Sequence, residues 1–145
     1  MNNFIGTYYH TLEEQGRVSV PKSFRKALGK GSVITKGLDG CLFIFNKTSW
    51  EKLVNKLSTL PISQKSARDF LRILTYNAAP IEFDKLGRTR ITENLIQLGK
   101  LEKEIVFAGA LSRIEVWSKK DFHSYQEQLE RSESQIAESL AELGI

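Results

Sequence analysis

Seven cationic side chains stand beside two Gly-Arg dipeptides. Arg17, Lys22, Arg25 and Lys26 follow Gly16, while Lys85, Arg88 and Arg90 flank Gly87. Arginine offers a planar fork that fits phosphate oxygens and guanine edges, and lysine adds a point charge, so the set suits a nucleic-acid surface. Strand alternation predicts that Arg88 and Arg90 share one face, with Thr89 and Ile91 on the other. Each arginine also has a structural alternative. Glu13 or Glu14 stands three or four positions before Arg17, and Asp84 four before Arg88, so each pair could simply brace its own turn.

Other chemistry is scarce. His10 and His123 are the two histidines, and neither sits in a metal-ligand spacing such as HExxH. Cys41 opens an apolar strand, where a free thiol packs as a small hydrophobe. The chain has no GxSxG and no P-loop, and Gly29-Lys30-Gly31 lacks the third glycine of a dinucleotide fingerprint. Asn46-Lys47-Thr48 matches a glycosylation sequon without an accompanying export signal. The expectation is therefore no catalytic residue, no metal, no cofactor and no small-molecule substrate.

The composition of the 145 residues, 41% hydrophobic and 26% charged, is that of a globular chain with one sizeable core or two small cooperating ones. One cysteine cannot form an internal disulfide, no apolar run approaches the ~20 residues that span a bilayer, and residues 1–17 lack the pattern of a signal peptide. Cytoplasmic residence without membrane contact is expected. The net charge of +4 becomes informative when divided. Residues 121–145 carry six acids against Arg131 and so net −5, while residues 1–120, with 20 Lys/Arg and 11 Asp/Glu, net +9. This predicts a basic binding body with an acidic appendage.

An internal repeat organises that body. Residues 12–17 and 83–88 place an apolar residue, an acid and Gly-Arg in one register, and Val18 to Pro21 then faces Thr89 to Thr92. After a one-residue slip, Val33 to Gly37 matches Ile105 to Gly109, Leu42 to Phe45 matches Ile114 to Trp117, and Trp50 matches Phe122. A period near 70 exceeds the 20–50 residues of solenoid repeats, so two copies read as two lobes of one pseudo-symmetric unit. Each copy predicts a short strand before its Gly-Arg (Tyr8 to Leu12; Ile81 to Phe83), a turn at the glycine, and a strand after it. Ser32 to Lys36 and Cys41 to Phe45 flank Gly37-Leu38-Asp39-Gly40, a hairpin signal repeated around Gly109 to Ser112. Pro21 opens a short helical turn ended by Gly29 and Gly31, whose second-copy counterpart is indistinct. A capping box at Thr48 and Glu51 predicts a helix stopped by Pro61, and a second helix follows, capped near Ser63, with Ala67, Phe70, Leu71 and Leu74 on one face. Ser118 and Asp121 predict a C-terminal helix whose tail beyond Leu129 is polar.

The linked motifs resemble those of the MraZ family of bacterial transcriptional regulators, built from two AbrB-like (SpoVT-AbrB) repeats. Phe4, Gly6, Tyr8, His10, Thr11, Leu12, Gly16, Arg17, Ser19, Pro21, Phe24 and Arg25 match its opening pattern. Asp84, Gly87 and Arg88 match the second turn, and Gly109 with Arg113 to Trp117 matches the closing strand. The family's usual Asp and Lys of the first turn are here Glu13 and Gln15, and in the second copy Thr92 and Ile96 replace its Pro and Arg. The resemblance implies an α+β, mainly β fold: a pseudo-two-fold double AbrB-like β-barrel of swapped-hairpin type with flanking helices. It divides the chain into a first repeat with its helix (1–60), a connecting helix (61–78), a second repeat (79–120) and an acidic C-terminal helix (121–145). It implies double-stranded DNA as partner, bound at promoter direct repeats of the division and cell-wall gene cluster, self-association into a ring-shaped homo-oligomer, and a nucleoid location. The DNA-binding set becomes Arg17 foremost, then Arg25 and Lys22, then Arg88 and Arg90, with Glu13, Gly16, Asp84 and Gly87 shaping the turns. The competing expectation is a protein-interaction module such as an antitoxin, which also uses AbrB-like hairpins.

Overall fold

The computed structural model describes residues 3–145. Strands are β1 (Thr7–Thr11), β2 (Arg17–Ser19), β3 (Val33–Lys36), β4 (Leu42–Phe45), β5 (Ala79–Pro80), β6 (Arg88–Arg90), β7 (Glu104–Gly109) and β8 (Ile114–Ser118). Helices are α1 (Lys22–Leu28), α2 (Lys47–Ser58), α3 (Lys65–Tyr76), α4 (Glu93–Leu98), α5 (Lys119–Arg131) and α6 (Glu133–Leu140). The fold is α+β as expected, but it is not mainly β, and among the described residues its antiparallel strands form an open sheet and a separate ribbon and not a closed barrel. Helix outweighs strand, 45% against 24%, because each hairpin is followed by a pair of helices.

Six strands form one sheet in the order β1-β7-β8-β4-β3-β5, and β2 pairs with β6 in a separate antiparallel ribbon. Exchanging the two copies turns this order into itself. β1 of the first copy joins the β7–β8 hairpin of the second, β5 of the second joins the β3–β4 hairpin of the first, and β4 meets β8 at the centre. Neither copy completes its sheet alone.

β4 is buried along its whole length, which explains the unbroken apolar run Leu42-Phe43-Ile44-Phe45. One sheet face contributes Ile34, Leu42, Ile44, Ile105, Phe107, Ile114 and Val116 to a core closed by Val18, Val20, Phe24 and Leu28 with Ile91 and Leu95. The other face carries Phe43, Phe45, Val106 and Trp117, covered by Trp50 and Leu53 of α2 and Phe122 and Tyr125 of α5. The ribbon with α1 and α4 thus lies on one side of the sheet, and the longer helices lie on the other.

Several boundaries depart from the sequence reading. β5 covers Ala79–Pro80 and not residues 81–83, because only that pair reaches β3. The second copy does have its short helix: Thr92, in the place of Pro21, caps α4 by accepting a hydrogen bond from the Leu95 N–H. The cap of α2 is Asn46, which accepts from Ser49 N–H at 2.9 Å, and not a box at Thr48. α3 begins after Gln64 with no side-chain cap at Ser63. Ser118 does cap α5, accepting from Asp121 N–H at 3.1 Å. The C-terminal segment is two helices, since the helix is interrupted at Ser132 and α6 then follows with no buried residue.

Candidate nucleic-acid interface

The two Gly-Arg turns, 71 positions apart in the chain, meet at the ribbon. In its register Arg17 faces Arg90, Val18 faces Thr89 and Ser19 faces Arg88. Val18 and Thr89 point inward, and Arg17, Ser19 and Arg90 are exposed, with Arg88 half-buried. The alternation read from the sequence therefore holds on both strands. It places three arginines on one outward face of a two-stranded ribbon.

The turns are built alike. Glu13 N–H donates to Arg17 C=O at 2.7 Å and Gly16 N–H to Glu13 C=O at 3.2 Å; Asp84 N–H donates to Arg88 C=O at 2.9 Å and Gly87 N–H to Asp84 C=O at 3.1 Å. Each turn also receives the opposite strand, Ile91 N–H donating to Gly16 C=O at 2.8 Å and Val20 N–H to Gly87 C=O at 3.4 Å. Both glycines hold a positive φ, +77° at Gly16 and +78° at Gly87. A Cβ at Gly16 would overlap the Ile91 carbonyl oxygen, and one at Gly87 would overlap the Arg25 guanidinium. Conformation favours glycine at both places, and at Gly16 the fixed Ile91 carbonyl leaves no space for a Cβ either.

The two acids differ in what they do. Asp84 Oδ1 accepts from the N–H groups of Leu86 and Arg88, each at 2.9 Å, and its Oδ2 accepts from Arg88 Nε at 2.9 Å. The Arg88 N–H above all holds the Asp84 carboxyl below the usual aspartate range. Glu13, one methylene longer, makes no such turn; it reaches across to Arg88 at 3.9 Å. The alternative local pairing of Arg17 with Glu13 or Glu14 is not formed among the described residues, whereas that of Arg88 with Asp84 is.

The cations are accordingly committed to different degrees. Arg25 Nε donates to Val20 C=O at 3.0 Å and its guanidinium lies against Gly87, so a first-copy side chain props the second-copy turn. Arg90 Nε donates to the Gln15 carbonyl at 3.1 Å. Gln15, at φ +62°, is a participant that sequence reasoning missed, and the signal was its place just before the turn glycine. Arg17 and Lys22 are exposed and make no ion pair or side-chain hydrogen bond among the described residues. Directly opposed residues of an antiparallel pair have Cβ atoms ~4.5–5.5 Å apart, where like charges repel. Arg17 and Arg90 form such an opposed pair. An anion placed between them would relieve that repulsion.

Elsewhere the chemistry is muted. Burial pushes the Cys41 thiol up to about 12, leaving it protonated at neutral pH, and burial lowers His10 so that its ring is neutral there. Among the described residues no cluster of His, Cys, Asp and Glu could hold a metal ion, and no helix is long and apolar enough to cross a membrane.

Fold and site together define a duplicated, strand-exchanged α+β protein that displays arginines on a central ribbon. The sequence profile described as "MraZ protein, putative antitoxin-like" matches residues 3–73 and 74–143, one copy to each repeat. The chain belongs to the MraZ family. It is 43% identical to the transcriptional regulator MraZ of Halothermothrix orenii, over 98% of this chain and 99% of that protein. Proteins of the same name from Alkaliphilus oremlandii and Clostridium beijerinckii are 44% and 45% identical, with the same coverage.

Proposed function

We propose that the chain is a sequence-specific DNA-binding transcriptional regulator, acting as a repressor at promoter direct repeats of the division and cell-wall gene cluster. The observation that carries this reading is the exposed Arg17, without an ion-pair partner among the described residues and directly opposite Arg90 on the outer face of the ribbon. Family membership and relatives named transcriptional regulators support it. Arg17 and Lys22 make the leading phosphate and base-edge contacts, Arg90 and Arg25 add to them from partly committed positions, and Arg88 contributes least because Asp84 and Glu13 hold it. Glu13, Gly16, Asp84 and Gly87 set the turns that aim these side chains.

In this reading the copies are AbrB-like repeats of swapped-hairpin type, with units at 1–60 and 79–120, a connector at 61–78 and an acidic end at 121–145. Several chains assemble into a ring in the cytoplasm at the nucleoid, and the first site bound raises the effective concentration of the rest. A gel shift with fragments from upstream of the cluster, against shuffled fragments, tests the function. A selective shift is expected. No shift together with a stoichiometric co-purifying protein would replace it with the antitoxin-like interaction module.

A further inference from the structure

A cleft of about 520 Å³ opens between α2, α3 and the outer sheet face, floored by Phe45, Leu53 and Phe70 and rimmed by Lys52 and Lys56. No acid lines it. Neither lysine makes an ion pair among the described residues. The second copy supplies a segment of opposite character. In the first copy α3 packs on β3, with Leu74 buried and Thr35 Oγ1 donating to its carbonyl at 2.6 Å. Its counterpart α6 buries nothing. Residues 132–145 contain Glu133, Glu138 and Glu142 and no Lys or Arg, a net −3. Ile136 and Leu140 of α6, four residues apart, share one helix face, and Leu143 follows in the 3-10 turn Ala141–Leu143; Ile136 is 41% and Leu143 70% exposed.

We propose that the C-terminal segment of a second copy of this chain docks in the cleft, its apolar residues on the aromatic floor and its glutamates against Lys52 and Lys56. This is helix-in-groove recognition with complementary charge. Cleft and segment are different surfaces, so the contact is head-to-tail, which closes into a ring when the rotation permits. The proposal rests on the self-assembly proposed above and names its interface.

Light scattering on the full-length protein tests it. Wild type is expected well above the 16.5 kDa of one chain. The double variant Lys52→Glu/Lys56→Glu and the double variant Glu133→Lys/Glu138→Lys should each fall toward the single-chain mass with unchanged far-ultraviolet dichroism. The quadruple variant, and a mixture of the two double variants, should recover assembly. A monomeric wild type, or reversed variants that keep the wild-type mass, would overturn the docking. Monomeric wild type whose tail becomes protease-sensitive on cleft reversal would place the chain's own tail there and overturn it equally. A gel shift on the same samples separates the two readings. Assembly that obeys the charge swap without any promoter shift leaves the docking standing and removes the DNA function.

Discussion

Gly16 and Gly87 show why these turns permit so little substitution. A left-handed φ costs an L-residue about 1–2 kcal/mol before any clash. At Gly16 the added Cβ would also strike the Ile91 backbone carbonyl, which is fixed in the ribbon, whereas at Gly87 it meets the tip of a flexible arginine. Gly16→Ala should therefore lose at least about 2 kcal/mol in urea unfolding and Gly87→Ala about 1–2 kcal/mol, the latter also displacing Arg25. Asp84 gives a pH prediction. Its folded carboxyl lies below the ordinary value, so the stability it lends is full above the unfolded pKa of about 3.9 and is lost as pH falls through the folded one. Asp84→Asn should be less stable than wild type at neutral pH and approach it as pH falls through the lowered Asp84 range. The Gly-Arg pairs and their acids were legible in the sequence. That Arg17 opposes Arg90, and that Glu13 reaches Arg88 and not Arg17, was not, because both depend on the register between repeats about 70 residues apart.

Among the elements, most strands and long helices announced themselves, as did α1 through its proline and glycine, whereas β5 and α4 did not. The hairpin β3–β4 follows from its buried run and its Asp39-Gly40 turn, with φ +63° and +94°. α4 escaped because six residues are too few to display a 3.6-residue period, and Thr92 replaces the proline that marks α1. The strand exchange, in which β1 joins β7 and β5 joins β3, leaves no local trace, since the same residues pair equally well within or between copies. Two contacts anchor the helices of the first repeat. Asn46→Ala removes the α2 cap and should cost about 1 kcal/mol. Thr35→Val leaves the Leu74 carbonyl without that donor and should cost about 1–3 kcal/mol. Hydrogen exchange should show the second loss concentrated in α3.

For the whole molecule, the division of charge into a +9 body and a −5 end acquires a place in three dimensions. Part of the positive charge gathers on a ribbon that exists only because two repeats meet, and part of the negative charge lies on a helix with no buried residue. The ribbon is pseudo-symmetric in backbone and unequal in side chains: Asp84 locks one turn to its arginine, while Arg17 at the other is left to solvent. The central claim is that this free arginine meets DNA. Titration of labelled promoter duplex with wild type and Arg17→Ala, repeated over a range of salt, tests it most directly. With folding unchanged, the variant should bind at least about tenfold more weakly. The wild-type log–log salt slope, about −0.9 per phosphate contacted, should shrink by about one contact per chain. Equal affinities with equal slopes, or a flat salt response in wild type, would contradict the account.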